Sequence, residues 1–195
     1  MILVINNKTA LLPEIRNWLK DVPYEVKERD ENWGSIESYS HIILSGGHDY
    51  SVTNHADFYK KELELILTFK EGSTKLIGIC LGFELIAYAF GSVLELLPQR
   101  DIGDVEVKII KDDPIFRGIQ KMRVFENHRW TIEKLGDNLE ALAESKDGVE
   151  AIRHKELPVY GFQFHPEVPR DLEKGMLLLV NLLETPAPAI ERRPY

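Results

Sequence analysis

Lys75-Leu76-Ile77-Gly78-Ile79-Cys80-Leu81-Gly82-Phe83-Glu84-Leu85-Ile86-Ala87 reads as a buried strand that turns sharply at Cys80 into an apolar helix. Outward from this stretch, short apolar runs alternate with longer segments of helical period. That alternation is the sequence sign of a sheet whose parallel strands are covered on both faces. Strands are predicted over 2–5, 23–27, 41–45 and 75–79, and helices over 10–20, 55–70 and 81–91. In the second helix Phe58, Leu63, Leu65, Ile66 and Phe69 form one broad stripe. After Gly91 the texture changes to strands joined by short polar turns, over 92–97, 104–110, 121–126, 139–144, 149–153 and 158–164. A last helix over 171–183 carries Leu172, Met176, Leu179 and Leu183 on one face. Residues 1–184 are expected to form one domain, and 185–195 a proline-rich tail.

The composition narrows the class. The chain has 195 residues, 44% of them apolar, enough for one substantial core. Its net charge of -8 offers no general attraction for a polyanion, and neither Lys60-Lys61 nor Arg192-Arg193 is long enough to make a basic patch. Nucleic acid and anionic membrane are therefore not expected partners. The N-terminus turns polar after Ile5 and lacks a basic leader, and no apolar run has the length of a bilayer span. A single cysteine forms no internal disulfide, so a reducing cytoplasm is the expected setting.

Three segments carry chemistry. The first is Gly78-Ile79-Cys80-Leu81-Gly82, the cysteine counterpart of the Gly-x-Ser-x-Gly nucleophile elbow. A nucleophile in a strained turn needs neighbours without a Cβ, which Gly78 and Gly82 supply. The helix N-terminus after Cys80 favours thiolate, the reactive form, so a lowered thiol pKa is expected. A lone buried cysteine is ordinarily an inert core residue, and it is the flanking glycines and the strand-to-helix switch that argue otherwise. The second segment is Val159-Tyr160-Gly161-Phe162-Gln163-Phe164-His165-Pro166-Glu167, an apolar strand ending in an ionisable pair. His165 supplies a general base and Glu167 a group to orient it, with the stiff Pro166 between them. The third is His41-Ile42-Ile43-Leu44-Ser45-Gly46-Gly47, a buried strand running into two glycines whose amides can face a substrate. His41, His55 and His154 are read as structural or surface residues. No cysteine, histidine and carboxylate cluster has metal-ligand spacing, and no cofactor is expected.

The elbow together with Tyr160-Gly-Phe-Gln-Phe-His165-Pro-Glu167 resembles the class I (triad) glutamine amidotransferases, and the resemblance covers nearly the whole chain. It implies an α/β, flavodoxin-like fold: a mostly parallel central sheet flanked by helices, with a small antiparallel sheet. It implies Cys80, His165 and Glu167 as the catalytic triad, and the N–H groups of Gly47 and Leu81 as the oxyanion hole. Gly46, Glu84, Asn127 and His128 become substrate-binding candidates. The substrate class is glutamine or a γ-glutamyl compound, and the product ammonia passes to a separate synthase subunit. Among relatives, Glu126-Asn127-His128 and the free-standing length are most similar to the glutaminase subunits of two-chain GMP synthases.

The chain departs from the family pattern at named positions. His48 stands where proline is usual, and Glu84 stands where glutamine commonly contacts the substrate. Ionised glutamate accepts but does not donate hydrogen bonds, so selectivity for glutamine is open. Asn6-Asn7-Lys8-Thr9 replaces the Gly-Gly-Gln stretch of the two-chain GMP synthases, and Trp130 stands in place of an acidic residue. A free-standing γ-glutamyl hydrolase using the same triad is the competing reading. A catalytically silent binding protein would more often have lost a triad member. Related cysteine-elbow proteins with histidine directly after the nucleophile differ at Leu81.

Overall fold

Five strands lie parallel in the order β2-β1-β3-β4-β9: β1 (Ile2–Asn6), β2 (Tyr24–Glu28), β3 (His41–Leu44), β4 (Lys75–Ile79) and β9 (Val159–Phe162). The computed structural model describes residues 1–47, 50–70 and 72–185. His48 and most of the 185–195 tail, Arg192-Arg193 included, lie outside the described residues. Strands β1, β3, β4 and β9 are buried along their whole length because helices cover both faces of the sheet. Successive side chains of a strand point to opposite faces, and β1 divides accordingly. Ile2 and Val4 join Ile15 and Trp18 of α1 (Leu12–Trp18) and Leu178, Leu179 and Leu182 of α4 (Leu172–Glu184). Leu3 and Ile5 join Leu65 and Ile66 of α2 (Lys60–Thr68) and Phe83, Leu85 and Ile86 of α3 (Leu81–Ala89).

The antiparallel strands expected late in the chain continue the same hydrogen-bonded sheet, in the order β9-β8-β7-β5-β6. They are β5 (Val93–Ile109), β6 (Lys121–Lys134), β7 (Leu139–Ser145) and β8 (Gly148–His154). The two segments predicted over 92–97 and 104–110 are one strand of 17 residues, β5. Pro98 and the polar stretch around it look like a turn in the sequence, whereas the chain passes through them as an irregularity opposite β6. Likewise β6 does not stop at Glu126, so Asn127 and His128 sit within a strand and not at its end.

Two helical stripes also differ from expectation. Leu172 and Met176 are 73% and 45% exposed, and the buried face of α4 runs through Gly175, Leu178, Leu179 and Leu182. That face follows the i, i+3, i+4, i+7 spacing one step round from the predicted one. Residues 55–70 begin with a 3-10 turn at Ala56–Tyr59 before α2 starts, which leaves Phe58 exposed while Leu65, Ile66 and Phe69 are buried. No helix among the described residues is long and apolar enough to cross a membrane.

Candidate active site

Cys80 sits between β4 and α3 with φ 51° and ψ -103°, a conformation that L-residues rarely adopt. Its N–H donates to the Phe162 carbonyl of β9 at 2.8 Å, which pins the turn to the sheet. A Cβ on Gly78 would run into the Gly82 carbonyl, and one on Gly82 into the Leu44 carbonyl of β3. Both glycines are thus required by backbone passing against backbone, and the turn lifts the Cys80 side chain to the end of the parallel strands.

His165 follows β9, and its N–H donates to the Phe125 carbonyl of β6 at 2.9 Å. The imidazole is therefore held by the antiparallel half of the sheet while the thiol comes from the parallel half. His165 Nδ1 lies 2.8 Å from Glu167 Oε1, and the ring makes a hydrogen bond with Cys80. Burial by itself would lower the imidazole pKa, but the Glu167 carboxylate and Cys80 together outweigh it and push it up to about 10. The shift is toward the charged imidazolium. Gly46 packs beside the pair: a Cβ there would lie 3.3 Å from His165 Cε1 and 3.6 Å from Cys80 Cβ.

The glycine pair is fixed by the residue that follows β1. Asn7 donates from its backbone N–H to Ser45 Oγ at 2.9 Å and from its side-chain amide to the Ser45 carbonyl at 3.0 Å. A Cβ on Gly47 would collide with the Asn7 carbonyl and the Leu81 side chain. Gly47 and Leu81 line one cleft with Cys80, and neither of their N–H groups donates a hydrogen bond to a described residue. Two backbone donors with no partner among the described residues, beside a sulfur, are free to meet an anionic oxygen.

That cleft, of about 180 Å³, is also lined by Glu84, Arg100, Asn127 and His128, so three of the four substrate candidates converge there, whereas Gly46 packs beside His165 and Cys80 and does not line it. An adjoining hollow of about 270 Å³ shares Gly47, Cys80, Arg100 and Asn127 and adds Thr9 and His165. A larger cavity of about 810 Å³ around Asp113, Phe116 and Lys174 has no lining residue in common with either. The Asn127 carbonyl accepts from Cys80 Sγ at 3.8 Å. Glu84 is buried in α3, and desolvation pushes its carboxyl up to about 7 against the opposing charge of His128. The Gln163 amide stands close enough to lower that value but outside regular hydrogen-bond geometry.

A buried polar network behind the cleft is invisible in linear spacing. His128 Nδ1 donates to the Trp130 carbonyl at 2.9 Å, and Nε2 lies 3.2 Å from Glu126 Oε2. Desolvation works against its charge, but Glu126, Trp130 and Glu84 raise the His128 pKa overall. Burial and the neighbouring Glu126 push the Glu150 carboxyl well above the usual carboxylate range. Asp101, Glu126 and His128 each bring one potential ligand atom within 4.8 Å of the others, a grouping made by pairing β5 with β6. Both His128 nitrogens are already engaged, Nδ1 by the Trp130 carbonyl and Nε2 by Glu126. No motif marks Arg100 and Tyr50 on the cleft wall or Thr9 in the adjoining hollow, and sequence spacing does not single them out.

Residues 4–184 match the family described as glutamine amidotransferase class-I. A Methanobrevibacter smithii protein named as one of the subunits of glutamine-hydrolyzing GMP synthase is 33% identical over 189 residues, 94% of each chain. The protein of the same name from Pyrococcus abyssi is 37% identical over 131 residues, 66% of each chain. Among solved structures, a Thermoplasma acidophilum protein provisionally named as the same GMP synthase component superposes with a TM-score of 0.81 at 25% identity, covering 93% of this chain and 91% of the other.

Proposed function

The chain belongs to the glutamine amidotransferase class-I family, and from that membership we propose that it is the glutaminase subunit of a two-subunit GMP synthase, working through Cys80, His165 and Glu167. The observation that carries the triad is the strained Cys80 hydrogen-bonded to an imidazole whose far nitrogen is 2.8 Å from a buried carboxylate. The Cys80 thiolate attacks the γ-carboxamide carbon of glutamine. As the C–S bond forms, the carbonyl electron pair moves onto oxygen and is met by the N–H groups of Gly47 and Leu81. The C–N bond then breaks, and the His165 imidazolium gives its proton to the leaving nitrogen, releasing ammonia and a γ-glutamyl thioester. Water attacks the thioester, losing its proton to His165, and the C–S bond breaks to give glutamate and regenerate the thiolate. Glu167 keeps the imidazole in one orientation and stabilises its charge throughout.

Ammonia set free in bulk water at neutral pH becomes ammonium and loses its lone pair for attack. A productive site must therefore hand it on under cover. The relatives are named as one component of a GMP synthase with more than one subunit, which points to a second, synthase subunit that receives the ammonia. A reducing cytoplasm suits a catalytic thiol.

Ammonia and glutamate release from L-glutamine, with and without that synthase subunit, tests the reading. The wild-type chain is expected to produce both in equal amounts and faster with the partner, and Cys80→Ala to produce neither. Undiminished turnover by Cys80→Ala would reject the nucleophile, and rapid cleavage of γ-glutamyl peptides with no response to the partner would favour the free-standing hydrolase.

A further inference from the structure

We propose that Arg100 is the residue that binds the α-carboxylate of the amino-acid substrate, and that an irregularity in β5 exists at this point to bring it over the nucleophile. This rests on the glutaminase reading of the same site. In the β5–β6 ladder, Leu96 pairs with Trp130 and Asp101 pairs with His128. Four residues of β5, Leu97, Pro98, Gln99 and Arg100, therefore stand opposite the single residue Arg129. Extra residues on one strand break its pleat and re-aim side chains, and Pro98 has no N–H to give to a ladder. The outcome is that Arg100 reaches the walls of both the cleft and the adjoining hollow, alongside Cys80, Gly47 and Asn127.

The charges in the cleft leave a defined task. Glutamine is a zwitterion at neutral pH, and the acids buried around this site, Glu84, Glu126 and Glu167, face only two buried rings, His128 and His165. An anionic α-carboxylate entering such a site needs a cation that is not already committed. The His165 and His128 rings are each held by a carboxylate. Arg100 forms no hydrogen bond or ion pair with another described residue, and its planar fork matches a carboxylate with two parallel N–H donors. Arg129 lines the cleft but not the hollow that contains His165. With Arg100 on the carboxylate, the buried Glu84 is left to face the α-ammonium group.

Calorimetric binding to the Cys80→Ala chain reads this without turnover, comparing L-glutamine with L-glutamine α-amide, in which a neutral carboxamide replaces the α-carboxylate. Glutamine is expected to bind tighter on the order of tenfold, the scale of a hydrogen bond between charged groups. Adding Arg100→Met should bring the two affinities together, Arg100→Lys should restore part of the preference, and Arg129→Met should leave it in place. Equal affinity for the two ligands before Arg100 is changed, or an undiminished preference after Arg100→Met, would overturn the proposal. So would a preference lost in Arg129→Met and kept in Arg100→Met. Failure of the glutaminase reading shows separately, as no ammonia from the wild-type chain with its partner, because the binding comparison never requires turnover.

Discussion

Glu84 shows how one side chain couples stability to the site. Its folded pKa of about 7 stands above the ordinary 4.5, because the buried carboxyl is desolvated and keeps its proton. The folded chain then binds a proton that the unfolded chain has released. This contribution to stability is complete below pH 4.5 and is lost as pH rises through about 7. Glu84→Gln retains the shape without the titration. It is expected to remove the fall in urea midpoint across that window and to exceed wild type at pH 8 by roughly 2 kcal/mol. A pH slope identical to wild type would show that burial of Glu84 is not its source. His165 works in the opposite regime: Glu167 and Cys80 push its pKa up to about 10, above the window in which Glu84 titrates.

The strand-turn-helix of β4, Cys80 and α3 depends on contacts made by backbone alone. A methyl group on Gly82 meets the Leu44 carbonyl of β3, which cannot move aside without breaking the parallel ladder. Gly82→Ala is expected to cost roughly 1–3 kcal/mol in urea denaturation, the range found for overpacked positions. Displacement of Cys80 by about 1 Å should lower ammonia release on the order of a hundredfold. Full activity with unaltered stability would mean that the helix can shift freely at this point. The irregular part of β5 illustrates the converse, in which an element departs from regular pairing and so places a side chain, Arg100, at the cleft.

At the scale of the molecule, the site is where two kinds of sheet meet. The parallel strands present Cys80, the chain after β9 presents His165, and β6 reaches across to hold His165 through the Phe125 carbonyl. Behind them α4 closes one face of the sheet. Asn181 of that helix donates from one buried amide to the Ile115 and Arg117 carbonyls, at 3.1 Å and 2.8 Å, tying α4 to the loop after β5. Asn181→Ala leaves both carbonyls without that donor and is expected to cost roughly 2 kcal/mol. The KM for glutamine should remain unchanged, since none of these groups lines the cleft; a raised KM at unchanged stability would instead connect α4 directly to substrate binding.

The α/β architecture was legible along the chain because its signals are local: the length of apolar runs, the period of helices, and two glycines around one cysteine. Cys80 and His165-Pro166-Glu167 stood out for the same reason, each being a short motif with its own stereochemistry. The offset face of α4, the single long β5 and the extension of β6 through Asn127 and His128 were not legible. Each depends on what packs or pairs opposite, and a polar stretch with a proline reads as a turn until its partner strand is known. The network of Glu84, His128, Glu126 and Glu150, and the arrival of Arg100 at the cleft, belong to that second kind. Residues far apart in the chain acquire their charge state and their task only when strand pairing sets them side by side and burial removes the water between them.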